Sequence, residues 1–213
     1  MNRRKALSRI LLAGIGGTLA LGGYRWYEWN KTPDLAWLDR KKDLLAALAD
    51  TIIPPTEDPS APNPAAPNQS AANLAAGRHI PGASESGVAA FMLVLLKDCT
   101  DRRTLNHFIE GLAALEAHCN ATYQSSFIQC PEAIRQKVLA RFEEKDKPLP
   151  GIWGKAEGRY LGKPFFITLK EYTAQAYCSS EMGATRGLAY VAVPGSYHGC
   201  IPLQPDTPAW ATK

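Results

Sequence analysis

The sequence predicts an all-α fold: a small helical bundle with a long Pro-rich loop and an irregular, extended C-terminal segment. Three observations predict it. Apolar residues recur at helical spacing through most of the chain, no segment shows the alternating pattern of strands, and Pro and Gly mark the breaks between helices. With 213 residues, 46% of them hydrophobic, the chain is long enough for one domain with a substantial core.

Four or five helices are predicted in the body of the chain. The first follows Thr32-Pro33, a capping residue and a proline suited to the first helical position, and ends at Pro54-Pro55. Segment 87–99 is apolar almost all round, so we expect a helix buried on most sides. Further helices are predicted over 101–119, 131–145 and 163–178.

Two segments are predicted to be irregular. Residues 54–86 are rich in Pro, Ala, Asn and Ser, and a connection of this length is unusual inside a compact domain. It is either a binding arm or a loop without fixed structure, and the sequence leaves both open. Residues 178–213 combine glycines, small residues and aromatics with few charges. We expect this tail to be ordered by packing on a surface.

The N-terminal segment, residues 1–30, is predicted to be an export signal. A basic stretch, MNRRKALS, precedes the apolar stretch ILLAGIGGTLALGG, which is the layout of a secretory leader. The adjacent Arg3 and Arg4 predict the twin-arginine route. An ordinary secretory leader, or an uncleaved anchor over residues 10–27, remains open. Residues 31–213 are then a single helical domain.

The charge distribution argues against nucleic-acid binding. The formal net charge is +4, and residues 1–23 contain four basic residues and no acid. The leader therefore accounts for the whole net charge, and the remaining chain is neutral. A nucleic-acid-binding domain is expected to present a basic face, so the sequence predicts no nucleic-acid partner.

Five cysteines are present: Cys99, Cys119, Cys130, Cys178 and Cys200. Their spacing fits no zinc site, and in an oxidising compartment we expect most of them to pair. Cys119 and Cys130 flank a short linker and are the most natural local pair. Cys178 and Cys200 are further candidates. A reduced and buried set, or a bridge from the odd thiol to another chain, remains open.

The sequence predicts no catalytic, cofactor-binding or metal-binding residue. His107 and His118 lie eleven residues apart on one predicted helix, about 16 Å along its axis, so one metal cannot bridge them. A Cys–His pair can form a nucleophile, which leaves a stand-alone enzyme using Cys200 and His198 as a minor alternative. No motif for a flavin, a haem or an iron–sulfur cluster is found.

The C-terminal third resembles the signature of the gluconate 2-dehydrogenase subunit 3 family. A first block matches at Ser180, Glu181, Gly183, Ala184 and Thr185. A second block matches at Tyr190, Val193, Pro194, Gly195, Tyr197, Gly199, Cys200, Pro202 and Leu203. Upstream, LADTIIPPTEDPSA (48–61) and FIEGLAALEAHC (108–119) are similar to the family's N-terminal motif and central helix.

The resemblance implies a small, non-catalytic subunit of a membrane-bound dehydrogenase complex that faces the periplasm. The implied partners are a large GMC-type subunit that carries FAD, a cytochrome c subunit that carries haem c, and the twin-arginine translocase. Location in the periplasm, at the cytoplasmic membrane, is expected, with export of the flavoprotein on this chain's leader. A subunit that anchors the complex through residues 10–27 is the alternative.

Residue roles are expected from the chemistry of the side chains. We expect Glu181 and Thr185 to fix backbone turns and Gly195 and Gly199 to permit tight turns. Tyr190, Tyr197 and Trp210 are expected to anchor an interface, with packing inside the chain as the open alternative. The expected interface set is Glu181, Gly183, Thr185, Tyr190, Pro194, Gly195, Tyr197, Gly199 and Trp210.

Overall fold

The computed structural model describes residues 30–58, 78–147, 162–190 and 209–211. In chain order its elements are α1 (Leu35–Asp39), α2 (Lys42–Ile52), β1 (Thr56–Asp58), β2 (Arg78–Ile80), α3 (Val88–Asp98), α4 (Arg102–Tyr123), a 3₁₀ helix (Phe127–Gln129), α5 (Glu132–Lys145), α6 (Phe165–Ser179) and a π-helical turn (Gly183–Gly187). The predicted all-α class is confirmed, because helices predominate and the sheet has only two strands.

The helices form around α6, which packs against α2, α3, α4 and α5. The longest helix, α4, starts where the Asp101 side chain accepts a hydrogen bond from the N–H of Thr104 at 3.1 Å. The core that they enclose contains Leu45, Leu48, Met92, Leu96, Phe108, Leu112, Leu115, Phe127 and Leu169, all fully buried. Burial of each large apolar side chain contributes about 1.5–3 kcal/mol to folding.

Two helices approach closely where a side chain is absent. A Cβ built on Gly111 of α4 would lie 2.3 Å from Cβ and Cγ of Phe165 at the start of α6. The glycine therefore admits the Phe165 ring, which packs on Phe108 with ring centroids 5.2 Å apart.

The predicted first helix is divided in two. The Asp34 carboxylate caps α1 by accepting from the N–H of Trp37 at 2.8 Å. At the break, the N–H of Lys41 bonds to the carbonyl of Leu38, a tighter turn than the α-helical pattern. The apolar periodicity continues across this turn, so the sequence pattern did not reveal it. The other predicted helices are present with ends shifted by up to four residues.

The prediction that residues 54–86 lack secondary structure was wrong at both ends of the segment. Strands β1 and β2 pair antiparallel, with Thr56 opposite Ile80 and Asp58 opposite Arg78. Three residues per strand are too few for alternation to be visible, and the pairing joins positions about twenty residues apart. Residues 59–77, including the Pro-rich centre of the predicted loop, lie outside the described residues.

Candidate partner-docking surface

The two segments predicted to be irregular meet at one end of the bundle. The Tyr177 hydroxyl of α6 donates a buried hydrogen bond to the carbonyl of Pro81, at 2.8 Å. Strand β2 also packs against the π-helical turn. We call this region the ribbon end: strands β1 and β2, the connection 81–87, the π-helical turn, and the Ala189–Trp210 bridge that directly follows it.

Antiparallel packing of α3 and α6 explains the convergence. Thr100, just after α3, bonds through its hydroxyl to the hydroxyl of Tyr172 in the middle of α6, at 2.8 Å. Tyr177, further along α6, reaches Pro81, which precedes α3. The C-terminal end of α6 therefore lies beside the N-terminal end of α3, and the segments that leave these ends are brought together.

The turn after α6 is built by short polar contacts with the backbone. The Ser180 hydroxyl donates to the carbonyl of Tyr177 at 2.7 Å and accepts from the N–H of Gly183 at 3.0 Å. The Thr185 hydroxyl donates to the carbonyl of Glu181, also at 2.7 Å. The Glu181 side chain is exposed. Within this block, Ser180 and Thr185 satisfy backbone groups, whereas Glu181 presents its carboxylate to solvent.

Two glycines in this turn lie against Tyr177. A Cβ on Gly183 would lie 2.1 Å from the Tyr177 carbonyl oxygen, and one on Gly187 would lie 2.4 Å from the Tyr177 hydroxyl. Both distances are far below van der Waals contact, so only glycine fits without rearrangement. Sequence reasoning did not single out Tyr177, Gly187 or Pro81. The only local signal was the spacing of the two glycines, one helical turn apart.

The C-terminal tail returns to the ribbon end through a backbone bridge. The N–H of Ala189 donates to the carbonyl of Ala209 at 2.8 Å, and the N–H of Ala211 donates to the carbonyl of Ala189 at 2.9 Å. Ala189 is 2% exposed, whereas Trp210, opposite it, is 51% exposed. The bridge therefore holds a large aromatic side chain at the surface on a fixed backbone. Tyr190, next to the bridge, is half-buried.

A charged triad crosses the ribbon. His79 of β2 bonds through Nδ1 to Oε1 of Glu57 at 2.7 Å and through Nε2 to Oε2 of Glu85 at 2.8 Å. The hydrogen bonds that the Glu85 carboxylate and, to a lesser extent, the Glu57 carboxylate accept from the imidazole raise the pKa of His79 above 6.5. The triad makes the surface of the ribbon polar and links β1, β2 and the connection 81–87. Because its side chains are exposed, it contributes little to stability.

A comparison with protein families matches the sequence of this chain to a known group. The family described as gluconate 2-dehydrogenase subunit 3 matches residues 39–195, well over half of the chain. The chain belongs to this family. The match runs from the end of α1 through the ribbon, the bundle and the π-helical turn, and it ends before Trp210. No curated protein and no solved structure matches the chain.

The name of this family, gluconate 2-dehydrogenase subunit 3, implies a subunit of a multi-subunit gluconate dehydrogenase complex. The predicted interface residues that the structure describes lie in the ribbon end (Gly183, Thr185 and Trp210) or within two residues of it along the chain (Glu181 and Tyr190). Of these, Gly183 is buried, whereas Glu181 and Trp210 are exposed. The predicted positions Arg3, Arg4, Pro194, Gly195, Tyr197, Gly199 and Cys200, together with His198, lie outside the described residues.

The two histidines considered as metal ligands, His107 and His118, lie on α4, outside the ribbon end. His118 is half-buried, with its ring against those of Tyr123 and Phe142, at centroid distances of 6.2 and 6.4 Å. Across residues 30–58, 78–147, 162–190 and 209–211, no group of three His, Cys, Asp or Glu is placed to hold a metal. No helix in these ranges is both long and apolar enough to cross a membrane.

The four described cysteines have free thiols. Cys99 and Cys178 are exposed, whereas Cys119 and Cys130 are buried. The disulfides anticipated from the sequence therefore stay a prediction, with Cys200 outside the described residues.

Proposed function

We propose that this chain is the small accessory subunit of a periplasmic, FAD-dependent gluconate 2-dehydrogenase-like complex. It binds the GMC-type flavoprotein through the ribbon end and is needed for that subunit's maturation and its twin-arginine export. The observation that carries the proposal is the convergence of both irregular segments at one end of the bundle, beside an exposed tryptophan on a fixed backbone.

The geometry of Trp210 suits an interface anchor. Tryptophan is enriched among the residues that dominate binding energy, because it buries a large area on contact. Its neighbours Ala209 and Ala211 are both hydrogen-bonded to the backbone of Ala189, so binding has little backbone freedom left to remove at Trp210. The charged triad of Glu57, His79 and Glu85 supplies the polar border that such interfaces carry around an apolar centre.

The proposal divides the chemistry between chains. FAD in the large subunit oxidises the substrate, haem c in the cytochrome subunit accepts the electrons, and this chain supplies a surface and an export signal. The family description supports the assignment to such a complex. The basic and apolar stretches of residues 1–30, with Arg3 and Arg4, support the export role.

The docking test is co-purification and affinity measurement with a GMC-type flavoprotein, sought in the reading frames that neighbour the one for this chain. Trp210→Ala is expected to weaken binding about 30-fold, the effect of losing about 2 kcal/mol at an interface anchor. Ile128→Ala is the matched control, because Ile128 is a 44% exposed apolar residue on the connection between α4 and α5. Equal losses for the two variants, or none for Trp210→Ala, would refute docking through the ribbon end.

The export test replaces Arg3 and Arg4 together by Lys, which keeps the charge. Dehydrogenase activity is then expected to remain in the cytoplasm, because the translocase reads the arginine pair. Activity that still reaches the periplasm would contradict export on this leader. Mass spectrometry of the purified N-terminus separates the anchoring alternative, for which the chain would start at an intact Met1.

A further inference from the structure

The four described cysteines differ in burial and in position. Cys119 and Cys130 are 0% and 2% exposed, whereas Cys99 and Cys178 are exposed. Cys119 lies on α4 within the hydrophobic core. Cys130 directly follows the 3₁₀ helix, which packs against α4. The two buried thiols therefore lie on adjoining elements.

A compact turn brings Cys130 back to α4. Gln124 ends α4 in the left-handed conformation, with φ of 52°. The N–H of Cys130 bonds to the carbonyls of Ser126 and Phe127, each at 3.2 Å, which closes the turn. This turn places the Cys130 thiol close enough to Cys119 to contribute to the raised pKa of the Cys119 thiol.

The exposed cysteines have no such arrangement. Thr100, next to Cys99, bonds to Tyr172, and Cys178 lies six residues further along α6. That is about 9 Å of helix, whereas the Cα atoms of a disulfide lie at most about 7 Å apart. Cys99 and Cys178 are therefore poorly placed to bond to each other.

We propose that Cys119 and Cys130 form an intramolecular disulfide when the chain meets a thiol-oxidising disulfide. The thiolate of one cysteine attacks the oxidant's disulfide, forms a mixed disulfide and releases one oxidant thiol. The second cysteine attacks the mixed disulfide, which forms the Cys119–Cys130 bond and releases the second thiol. The two cysteines lose two electrons and two protons, and the oxidant becomes two thiols.

Burial controls when this bond forms. Removal from solvent and the neighbouring Cys130 thiol raise the pKa of Cys119 to about 11. The reactive thiolate is therefore scarce at neutral pH in the folded, reduced chain. Oxidation is expected to need an opening of the turn over 124–130, or to occur before the chain has folded.

The bond would fix the connection between α4 and α5. It closes a loop of about twelve residues. The resulting loss of conformational freedom in the unfolded chain raises the folding equilibrium constant about 100-fold. The disulfide is thus a structural clamp, available only in an oxidising compartment.

Peptide mapping of the full chain tests the assignment. The reduced protein is unfolded in urea and refolded in the presence of oxidised glutathione, its remaining thiols are alkylated in urea, and it is digested with trypsin. No Lys or Arg lies between Arg103 and Arg135, so one peptide contains both cysteines. Chymotryptic cleavage after Tyr123 and Phe127 then separates Cys119 from Cys130 unless a disulfide joins them.

The expected result is a pair of linked fragments that separate on reduction. Cys99→Ser should leave the linked pair unchanged, and Cys130→Ser should abolish it. Separate alkylation of Cys119 and Cys130 after oxidation would overturn the proposal, as would either cysteine bonded to a different one.

Denaturation provides a second readout that needs no variant. The oxidised wild-type chain should have an unfolding equilibrium constant about 100-fold smaller than that of the reduced chain. Identical unfolding midpoints in the two states would overturn the clamp. Neither measurement involves the flavoprotein, so failure here leaves the docking proposal intact, and failure of docking leaves the disulfide intact.

Discussion

Removal of one hydroxyl group tests how the ribbon end is held to the bundle. In Tyr177→Phe the ring remains, but the carbonyl of Pro81 loses the hydrogen bond that it accepts at 2.8 Å. Pro81 and Tyr177 are both buried, so water does not replace the lost donor. An unsatisfied buried carbonyl costs about 1–3 kcal/mol. With a urea slope of about 2 kcal/mol per M, the unfolding midpoint should fall by about 1 M.

Tyr172→Phe is the matched control on the same helix. Tyr172 is half-buried, and its partner Thr100 also donates to the carbonyl of Leu95, at 2.9 Å. Loss of this hydroxyl leaves no buried group without a partner, so the expected cost is about 1 kcal/mol or less. Urea denaturation followed by circular dichroism compares the two variants.

Hydrogen exchange locates the effect. The N–H groups of Ala83 and Ser84 bond to the Ile53 carbonyl and the Asp50 carboxylate, at 3.0 and 2.7 Å. The protection of these two N–H groups should fall in Tyr177→Phe and not in Tyr172→Phe, because Tyr177 bonds to the adjacent Pro81 whereas Tyr172 bonds to Thr100. Equal destabilisation by both substitutions, or unchanged protection in Tyr177→Phe, would refute the reasoning.

Three further predictions concern glycine, charge and thiol chemistry. Gly183→Ala should cost 3 kcal/mol or more in urea denaturation, since its Cβ would meet backbone at 2.1 Å. Gly87→Ala, with φ of 69° and open space, should cost only about 1–2 kcal/mol; equal costs would contradict the packing argument. Because the pKa of His79 is raised in the folded chain, protonated His79 stabilises the fold most below about pH 6.5, and this stabilisation is lost as the pH rises through the folded pKa. His79→Gln should flatten that pH dependence of stability. The alkylation rate of Cys119 should keep rising up to about pH 11, and a plateau near pH 8.5 would contradict its raised pKa.

The helices were predictable because their signals are local. Apolar periodicity locates α3 through α6, and Asp101 and Pro131 mark where α4 and α5 start. The ribbon was missed because a three-residue strand has no visible period, and its pairing depends on a partner beyond residues 59–77. The turn between α1 and α2 was missed because it does not interrupt the apolar pattern.

The candidate site was only partly predictable, for a related reason. Aromatic content and few charges identified Trp210 as a candidate anchor, but its exposure depends on a backbone bridge to Ala189, twenty-one positions earlier. The bond from Tyr177 to Pro81 joins residues 96 positions apart. No local sequence pattern predicts this contact, because Tyr177 alone is an ordinary aromatic residue of a helix and Pro81 alone is an ordinary proline of a loop.

The geometry of the ribbon end separates residues that place the docking surface from those that touch a partner. Gly183 and Tyr177 are buried and make only intramolecular contacts among the described residues, so their substitution should lower stability together with flavoprotein binding. Trp210 is 51% exposed on a backbone bridge, so its truncation should lower binding much more than it lowers the urea midpoint. The Glu181 side chain is exposed, and only its backbone carbonyl bonds to Thr185. Glu181→Gln should therefore behave like the Trp210 variant and lower binding more than stability. The structural and contacting roles of residues at this one end of the bundle are therefore distinguished by measuring stability and affinity on the same variants.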